Sequence, residues 1–225
     1  MPALCLFDLD YTLLPIDSDH AWGEFLCDLG WADAGDYRRR NDAFFDLYQR
    51  GALDIAAYID FATEAWRDRP AHELETARER YLRERIEPAI LPEARALVDE
   101  HRARGDLIAI ITATNEFVTA PIAAAFGVEH LLAIRLERGA GGTITGRMSG
   151  TPTFREGKVA RTVEWLAGRG AQLADFERIS VYSDSPNDLP LLDIATDPVA
   201  TNPSAELEAV ATRRRWRVLN LFPTR

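Results

Sequence analysis

The feature that most constrains this chain is an apolar segment near its start that ends in two acids. Residues 4–7, Leu-Cys-Leu-Phe, are followed by Asp8, Leu9 and Asp10. A short, continuous apolar run is typical of a strand buried on both faces, as in the parallel sheets of α/β proteins. A buried aspartate is unfavourable unless it is paired, hydrogen-bonded or bound to a metal ion. The segment therefore predicts a central strand that carries carboxylates at its carboxyl end.

The arrangement of the two acids depends on where this strand ends. Side chains alternate along a strand, so Asp8 and Asp10 share one face if the strand stays regular through Asp10. If the chain turns after Leu9, the two carboxylates can flank one reacting group. A third interpretation is a strand end with two solvated acids, which is common in loops. The residues of this segment leave all three open.

Composition and charge exclude several kinds of partner. The 225 residues carry a formal net charge of -10, which argues against non-specific binding to nucleic acid or to anionic membranes. No stretch approaches the roughly 18 apolar residues needed to span a bilayer, and Asp8 interrupts the first apolar run too early for a signal peptide. Cys5 and Cys27 suggest no disulfide framework. We therefore expect a cytoplasmic enzyme or binding protein, as a monomer or homodimer.

The region after the first strand has a helical pattern. Apolar side chains recur at helical spacing with no strand signal. Four helices are predicted, at about 17–29, 35–49, 54–67 and 71–86. We expect residues 16–87 to form an all-helical cap domain, inserted into a core domain formed by residues 1–15 and 88–225.

The second half of the chain alternates between strands and helices. Strands are predicted at 107–111, 131–136, 179–182, 199–200 and 216–219, with a hairpin around 143–145. Helices are predicted at 93–104, 116–126, 156–166, 188–194 and 204–211. Strands joined through helices form right-handed crossovers and a parallel sheet covered on both faces. The predicted fold class is therefore α/β, with a three-layer, Rossmann-like parallel sheet.

Polar residues follow three of the predicted strands. Asp8 with Asp10, Thr112 and Asp184 each lie at a carboxyl end, which is where open parallel sheets bind ligands. Lys158 begins a helix between the last two of these strands. Taken singly, the threonine could be a cap, the lysine solvated and the acid part of a turn. Their order along the chain makes a shared site the better interpretation.

That order resembles the motifs of the haloacid dehalogenase-like phosphohydrolases. Residues 8–12, Asp-Leu-Asp-Tyr-Thr, match the D-x-D-x-T pattern, and residues 183–188, Ser-Asp-Ser-Pro-Asn-Asp, are similar to [GS]-D-x-x-x-D. A helical insert after the first motif is similar to the group that contains phosphoserine phosphatase. Residues 111–123 look closer still to a bacterial branch, some of whose members are assigned as histidinol-phosphate phosphatases. The resemblance implies a phosphatase for a small phosphomonoester.

The resemblance also implies roles for individual residues. Asp8 would attack phosphorus to form an aspartyl-phosphate, and Asp10 would protonate the leaving oxygen and later activate water. Thr112 and the amide of Ala113 would bind phosphoryl oxygens. Lys158 would neutralise charge on the nucleophile and the phosphate together.

A magnesium ion is expected for a physical reason as well. An ionised aspartate repels an anionic phosphate, so a hard cation with oxygen ligands must lie between them. As in the family, Asp8, the backbone carbonyl of Asp10, and Asp184 would hold Mg²⁺. Asn187 and Asp188 lie where the family supports the ion and its waters.

The residues that contact the leaving group are harder to assign. Candidates in the predicted cap are Asp17, Asp19, His20, Trp22 and Arg38. The acids could meet an amine, as in phosphoserine or histidinol phosphate. The alternative is structural, because acids suit a helix start, a tryptophan suits the core and an arginine suits a solvated face.

Three rival functions use some of the same residues. A phosphotransferase or mutase would share the aspartyl-phosphate chemistry. A receiver-type signalling domain also uses acids, a strand-end threonine and a lysine, but the chain length, the helical insert and the D-x-D-x-T motif argue against it. A non-catalytic binding protein has little support because every expected catalytic position is occupied. The four histidines show no metal-ligand spacing and are expected at the surface or at caps, at positions 20, 72, 101 and 130.

Overall fold

The computed structural model describes residues 3–222, and its centre is one seven-stranded sheet. The strand order is β4-β3-β2-β1-β5-β6-β7. Neighbouring strands are parallel except β4, which pairs antiparallel with β3. The strands are β1 (Ala3–Phe7), β2 (Leu107–Asn115), β3 (His130–Arg138), β4 (Ile144–Ser149), β5 (Arg178–Ser183), β6 (Asp197–Thr201) and β7 (Arg217–Leu219). The predicted α/β class is confirmed.

Strand β1 lies at the middle of the sheet, and all five of its residues are buried. It pairs in parallel with β2 on one side and β5 on the other. Cys5 and Phe7 belong to one apolar core, whereas Leu4 and Leu6 belong to a second core on the opposite face. Because both faces are covered, the strand reads as a continuous apolar run, as expected for a parallel sheet.

Four helices follow β1, as the sequence pattern predicted, and a short π-helical turn, Leu82–Ile86, replaces the predicted end of the fourth. Each of the first three helices begins at an aspartate whose side chain accepts backbone N–H groups, namely Asp17, Asp33 and Asp54. Such caps satisfy donors that a helix start leaves unpaired. The helices are α1 (Ser18–Asp28), α2 (Ala34–Gln49), α3 (Ile55–Glu64) and α4 (Ala71–Tyr81). We call residues 18–86 the helical insert; its status as a separate domain stays a prediction.

Five further helices connect the strands of the sheet. They are α5 (Pro92–Ala103), α6 (Glu116–Ala125), α7 (Glu156–Ala167), α8 (Leu189–Asp193) and α9 (Ala205–Arg214). Each agrees with its predicted position to within a few residues. Across residues 3–222, no helix combines the length and the apolar character that crossing a membrane requires.

The chain turns directly after β1. The carbonyl of Leu9 accepts hydrogen bonds from Leu13 N at 2.8 Å and Leu14 N at 3.0 Å. Tyr11 has a φ of 57°, in the left-handed region that side chains other than glycine rarely adopt. Of the arrangements open to the two acids, the structure therefore shows the turn after Leu9.

A side chain from the far end of the chain holds this turn in place. Asn202 donates from Nδ2 to the carbonyls of Tyr11 at 3.0 Å and Thr12 at 3.2 Å. Its Oδ1 accepts from Leu221 N at 2.6 Å. The contacts satisfy buried backbone groups that a strained turn cannot pair within itself.

Strand β2 extends to Asn115, four residues beyond its predicted end. Its pairing with β3 shifts register between Ile111 and Asn115. Within this stretch, Thr112 Oγ1 accepts from Thr114 N at 3.1 Å. A side chain that bonds the neighbouring backbone competes with regular strand pairing, so the irregularity lies where the strand carries its polar residues.

The prediction that all four histidines lie at the surface or at caps is wrong for His101. Its side chain is 1% exposed and contacts Asp106 Oδ2 from Nδ1 at 2.6 Å and the Tyr182 hydroxyl from Nε2 at 2.8 Å. The ring also packs edge-on against Phe7 at 5.6 Å between centroids. Burial lowers the pKa of His101, against the opposing influence of Asp106. A polar partner at each nitrogen makes this burial possible.

We expect Tyr182→Phe to lower the free energy of unfolding by about 1–3 kcal/mol, because it leaves His101 Nε2 buried without a partner. Urea unfolding at neutral pH measures the change. Ser180→Ala is the matched control: it removes a buried hydroxyl from the same strand, but its partner Asp197 is 37% exposed and stays hydrated. Equal stability of Tyr182→Phe and wild type would contradict the prediction.

Candidate active site

A cavity opens at the carboxyl edge of the sheet, between the strand ends and the helical insert. It contains about 610 Å³ of space free of protein atoms, including the part open to solvent. The strand ends contribute Asp8, Asp10, Thr112, Ala113, Thr114 and Asp184 to its wall.

Lys158 does not line the cavity itself but contacts Asp8, which does. Its Nζ donates to Asp8 Oδ1 at 2.9 Å and to Asp188 Oδ2 at 2.7 Å, and all three side chains are at most 5% exposed. Ser183 Oγ also donates to Asp188 Oδ2, at 2.7 Å. The lysine is therefore a buried partner of two acids and not a solvated residue of the first turn of α7.

This cluster has more acidic groups than basic ones. Burial raises the pKa of Asp8 to about 7, although Lys158 acts in the opposite direction. Burial acts to lower the pKa of Lys158, but attraction to Asp188 and Asp8 outweighs it, so the pKa lies above its ordinary value. One cation thus serves two buried carboxylates, and ionised Asp8 needs further positive charge.

Asp10 is held by two donors from different parts of the fold. Its Oδ1 accepts from Ser18 N at 2.8 Å, and its Oδ2 accepts from Thr114 Oγ1 at 2.9 Å. Burial, and next the charge of Asp17, raise the pKa of Asp10 to about 7. A fixed carboxyl with such a pKa can both give and accept a proton at neutral pH.

Thr12 joins the first motif to the last. Its Oγ1 accepts from Asp184 N at 3.1 Å and donates to Asp184 Oδ1 at 3.4 Å. The threonine of D-x-D-x-T therefore orients an acid that follows β5. The structure thus brings Asp8, Asp10 and Asp184 to one cavity, together with Thr112.

Asn187 lies at the contact with the helical insert. Its Nδ2 donates to the carbonyl of Tyr48 at 2.9 Å, and its Oδ1 accepts from Arg155 Nε at 3.4 Å. Arg155 in turn donates to the carbonyl of Gly51. In the structure Asn187 contacts the insert, and Asp188 contacts Lys158. That these two residues support a metal ion stays a prediction.

The residues at the strand ends fit a magnesium ion. Within residues 3–222, no three acidic, histidine or cysteine side chains form a ready-made metal site. The ligands implied by the resemblance include only two side chains, the carboxylates of Asp8 and Asp184. The third ligand is the backbone carbonyl of Asp10. All of these donors are oxygens, as Mg²⁺ requires, and the surplus of negative charge favours a cation.

Three of the candidate specificity residues line the cavity on the side of the insert, and each has its own partner. Asp17 caps α1, its Oδ1 accepting from Asp19 N at 3.0 Å and His20 N at 2.8 Å. His20 Nε2 lies 2.8 Å from Oδ1 of the exposed Asp42. Asp19 is 6% exposed, and its Oδ1 accepts from Asn115 Nδ2 at 3.4 Å.

The structure corrects the prediction that Trp22 and Arg38 contact a leaving group. Trp22 is 1% exposed and packs among the rings of Phe25, Trp66, Tyr81 and Phe117, away from the cavity. Arg38 Nε pairs at the surface with Glu24 Oε2 at 2.7 Å. In both cases the structural alternative holds: a large apolar ring is buried, and a guanidinium is satisfied by nearby acids.

Aromatic side chains form one wall of the cavity, which the sequence pattern did not predict. Rings from α2, α3 and the turn after β1 line it, namely Tyr11, Phe44, Phe45, Tyr48 and Tyr58. The centroids of Phe44 and Tyr58 lie 5.4 Å apart, and those of Tyr11 and Phe45 lie 6.2 Å apart. Aromatic residues at helical spacing are usually part of a hydrophobic core. Only the high number of them between residues 44 and 58 could have indicated a binding surface.

Asp19→Asn should change the pH dependence of stability. Burial raises the pKa of Asp19 to about 7, against the opposing hydrogen-bonding influence of Tyr58. Between about pH 4 and 7 the folded state keeps a proton that the unfolded state loses, so wild-type stability falls as pH rises. The variant has no such proton to lose. We therefore expect its free energy of unfolding, relative to that of the wild type, to rise by about 2–4 kcal/mol between about pH 4 and pH 7.

Urea unfolding in EDTA at several pH values between 4.5 and 7.5 tests this. Asp46→Asn is the control, because it makes the same change at an exposed position of α2. Identical pH profiles for Asp19→Asn and wild type would contradict the prediction.

Comparisons with known proteins agree with this geometry. Residues 5–193 match the model of the haloacid dehalogenase-like hydrolase family. The chain is 42% identical over 220 residues to the histidinol-phosphatase of Neisseria meningitidis serogroup C, covering 98% of this chain and 99% of that protein. It is 30% identical over 221 residues to a phosphoserine phosphatase of Mycobacterium tuberculosis, covering 97% of this chain and 70% of that protein.

Two solved structures show the same fold. A protein of unknown function from Bordetella pertussis Tohama I has a TM-score of 0.93 at 48% identity, covering 99% of this chain and 100% of that one. A substrate-bound phosphoserine phosphatase has a TM-score of 0.68 at 17% identity, covering 97% of this chain and 93% of that one. Together with the relatives, these matches confirm the predicted resemblance and the prediction of a phosphomonoester hydrolase. By its motifs and by a family model that spans most of its length, this chain belongs to the haloacid dehalogenase-like hydrolases.

Proposed function

We propose that the protein is a Mg²⁺-dependent phosphatase that hydrolyses a small phosphomonoester through an aspartyl-phosphate on Asp8. The observation that carries this proposal is the contact of Lys158 with Asp8 at 2.9 Å, at the base of a cavity that also contains the Asp10 carboxyl. A nucleophile, a charge-balancing cation and a general acid therefore share one small site.

In the first step, a carboxylate oxygen of Asp8 attacks phosphorus and the ester P–O bond breaks. The leaving oxygen takes the proton of Asp10, whose carboxyl is held by Ser18 N and Thr114 Oγ1. The Thr112 hydroxyl and the Ala113 amide bind the phosphoryl oxygens, while Lys158 balances the charge that gathers around Asp8.

In the second step, water attacks the phosphorus of the aspartyl-phosphate. Asp10, now ionised, accepts a proton from that water, and the bond between phosphorus and the Asp8 oxygen breaks. Inorganic phosphate leaves, and both carboxyls return to their starting states. The two steps use the same carboxyl first as acid and then as base, which suits a group with a pKa of about 7.

Asp8, Asp184 and the Asp10 carbonyl would hold Mg²⁺, with Asn187 and Asp188 in support. When bound, the ion supplies positive charge that offsets repulsion between Asp8 and the phosphate. The helical insert covers the strand ends, so it limits the size of the substrate and the access of bulk water to the reacting groups. The similarity to a histidinol-phosphatase and a phosphoserine phosphatase supports a substrate of either type.

Asp8→Asn should lower kcat for a phosphomonoester by at least about a thousandfold, because an amide is a poor nucleophile for phosphorus. The rate of phosphate release in Mg²⁺ measures this, and Asp46→Asn serves as the exposed control. With ³²P-labelled substrate, acid quenching should trap label on the wild type and not on Asp8→Asn. Equal turnover by Asp8→Asn would rule out the covalent mechanism.

Millimolar Mg²⁺ should raise the melting temperature of the wild type by about 3–8 °C, because an ion that binds only the folded state stabilises it. Asp184→Asn removes a proposed ligand and should lose most of this rise. Thermal unfolding with Mg²⁺ and with EDTA measures both. A melting temperature of the wild type that does not respond to Mg²⁺ would contradict the proposed ion site.

A further inference from the structure

We propose that Arg155 is a positioning residue that holds the helical insert over the cavity and thereby sets the affinity for substrate. It acts through two neighbours, the carbonyl of Gly51 on the insert and the side chain of Asn187 on the core. The proposal rests on the proposed function and deepens it, since it adds a residue outside the cavity to the same site. We call residues 48–52, at the end of α2 and in the loop that follows it, the insert tip.

Two side chains of the core bind the insert tip. Arg155 Nη2 donates to the carbonyl of Gly51, and Arg155 Nε donates to Asn187 Oδ1 at 3.4 Å. Asn187 is 7% exposed and donates from Nδ2 to the carbonyl of Tyr48 at 2.9 Å. Within residues 3–222, these two side chains supply the hydrogen bonds that join the core to the insert tip. Because Tyr48 also lines the cavity, the same bonds hold one of its walls in place.

The backbone of Arg155 has a conformation that favours glycine. Its φ is 51° and its ψ is -123°, and Gly157 N donates to the Phe154 carbonyl at 2.9 Å to close the turn. These angles are those of the first central residue of a type II′ turn, where glycine is the usual residue. Any other residue there carries a backbone strain that the surrounding structure must offset. The turn needs no side chain at this position, so the strain indicates that the guanidinium has a role beyond starting α7.

Gly51 leaves the space that the guanidinium occupies. It has a φ of 63°, and a Cβ on it would overlap Arg155 Nη2 and lie 3.1 Å from Asn187 Oδ1. A side chain at this position would therefore move the guanidinium away from the carbonyl that it binds. The ring of Phe154 supports the contact, since its centroid lies 5.4 Å from Arg155 Cζ and 6.0 Å from the centroid of Tyr48. A strained residue of the core and a glycine of the insert thus meet directly.

These contacts make Arg155 a positioning residue and not a catalytic one. It is not among the described residues that line the cavity, and its side chain acts on the insert tip and on Asn187. If the insert is held over the cavity before substrate arrives, substrate binding does not have to supply the free energy of ordering it. Loss of the contact should therefore raise KM. It should change kcat little, because bound substrate can still draw the insert into place.

Arg155→Ala and Gly51→Ala remove the contact from its two sides. With Mg²⁺ and whichever of histidinol phosphate and phosphoserine the wild type hydrolyses faster, each variant should raise KM by about 5–20-fold and change kcat by less than about twofold. The double variant should raise KM no further, because both changes break one contact. Gly30→Ala is the matched control. Gly30 also belongs to the insert and has a φ of 69°, but an added Cβ would meet no atom within 4 Å, so KM should not change.

Arg155→Gly separates the side chain from the strained backbone. It lacks the guanidinium, so it should raise KM as much as Arg155→Ala does. Glycine relieves the strain at this φ, so the melting temperature of Arg155→Gly should exceed that of Arg155→Ala by about 2–4 °C. A merely structural role would instead make the less stable variant the one with the greater loss of activity.

Hydrogen exchange in EDTA, without substrate, gives a readout that does not depend on turnover. Amides of the insert tip should exchange at least about fivefold faster in Arg155→Ala and Gly51→Ala than in the wild type, while those of β1 should not change. An unchanged KM in Arg155→Ala and Gly51→Ala, or an equal rise in Gly30→Ala, would overturn the inference. If the exchange result holds while the wild type hydrolyses neither ester, Arg155 still holds the insert and the proposed phosphatase activity fails.

Discussion

The interaction on which the rest of this structure depends is the buried contact of Lys158 with Asp8 and Asp188. It joins residues 150 positions apart in the chain and ties the end of β1 to α7 and to the turn after β5. Removing one partner from such a cluster is costly, because the remaining charges are left buried and uncompensated. The cluster explains how a central strand of a parallel sheet can end in an acid, and it holds that acid at the base of the cavity.

The cavity has two halves with different chemistry. At the strand ends, Lys158, Thr112 and the amide of Ala113 suit a phosphoryl group, and the surplus of carboxylates suits a divalent cation. On the insert, the cavity is lined by Asp17, Asp19 and aromatic rings. The halves are connected directly, since Ser18 N of α1 holds Asp10 and the Tyr48 carbonyl of α2 holds Asn187. The insert therefore helps to hold the Asp10 carboxyl in place as well as covering the site.

Much of the fold could be predicted because its signals are local. Strand and helix positions follow from periodicity, and the polar residues at the strand ends fall on one edge because parallel strands share their direction. The role of Thr114 at Asp10 was missed because it depends on a register shift in β2 that no sequence pattern marks. The burial of His101 was missed because its partner Tyr182 lies 81 residues away.

By itself, the sequence determined the α/β class, the positions of the helices and the motif residues, since each depends on residues close together in the chain or on a strict order of motifs. Only the tertiary structure decided which residues of the insert line the cavity. Trp22 is enclosed by the rings of Trp66, Tyr81 and Phe117 from later parts of the chain, whereas Asp19, three positions earlier, lines the cavity and meets Asn115. The physical reason is that burial and hydrogen bonding are properties of a side chain's neighbours, and these neighbours come from distant parts of the chain.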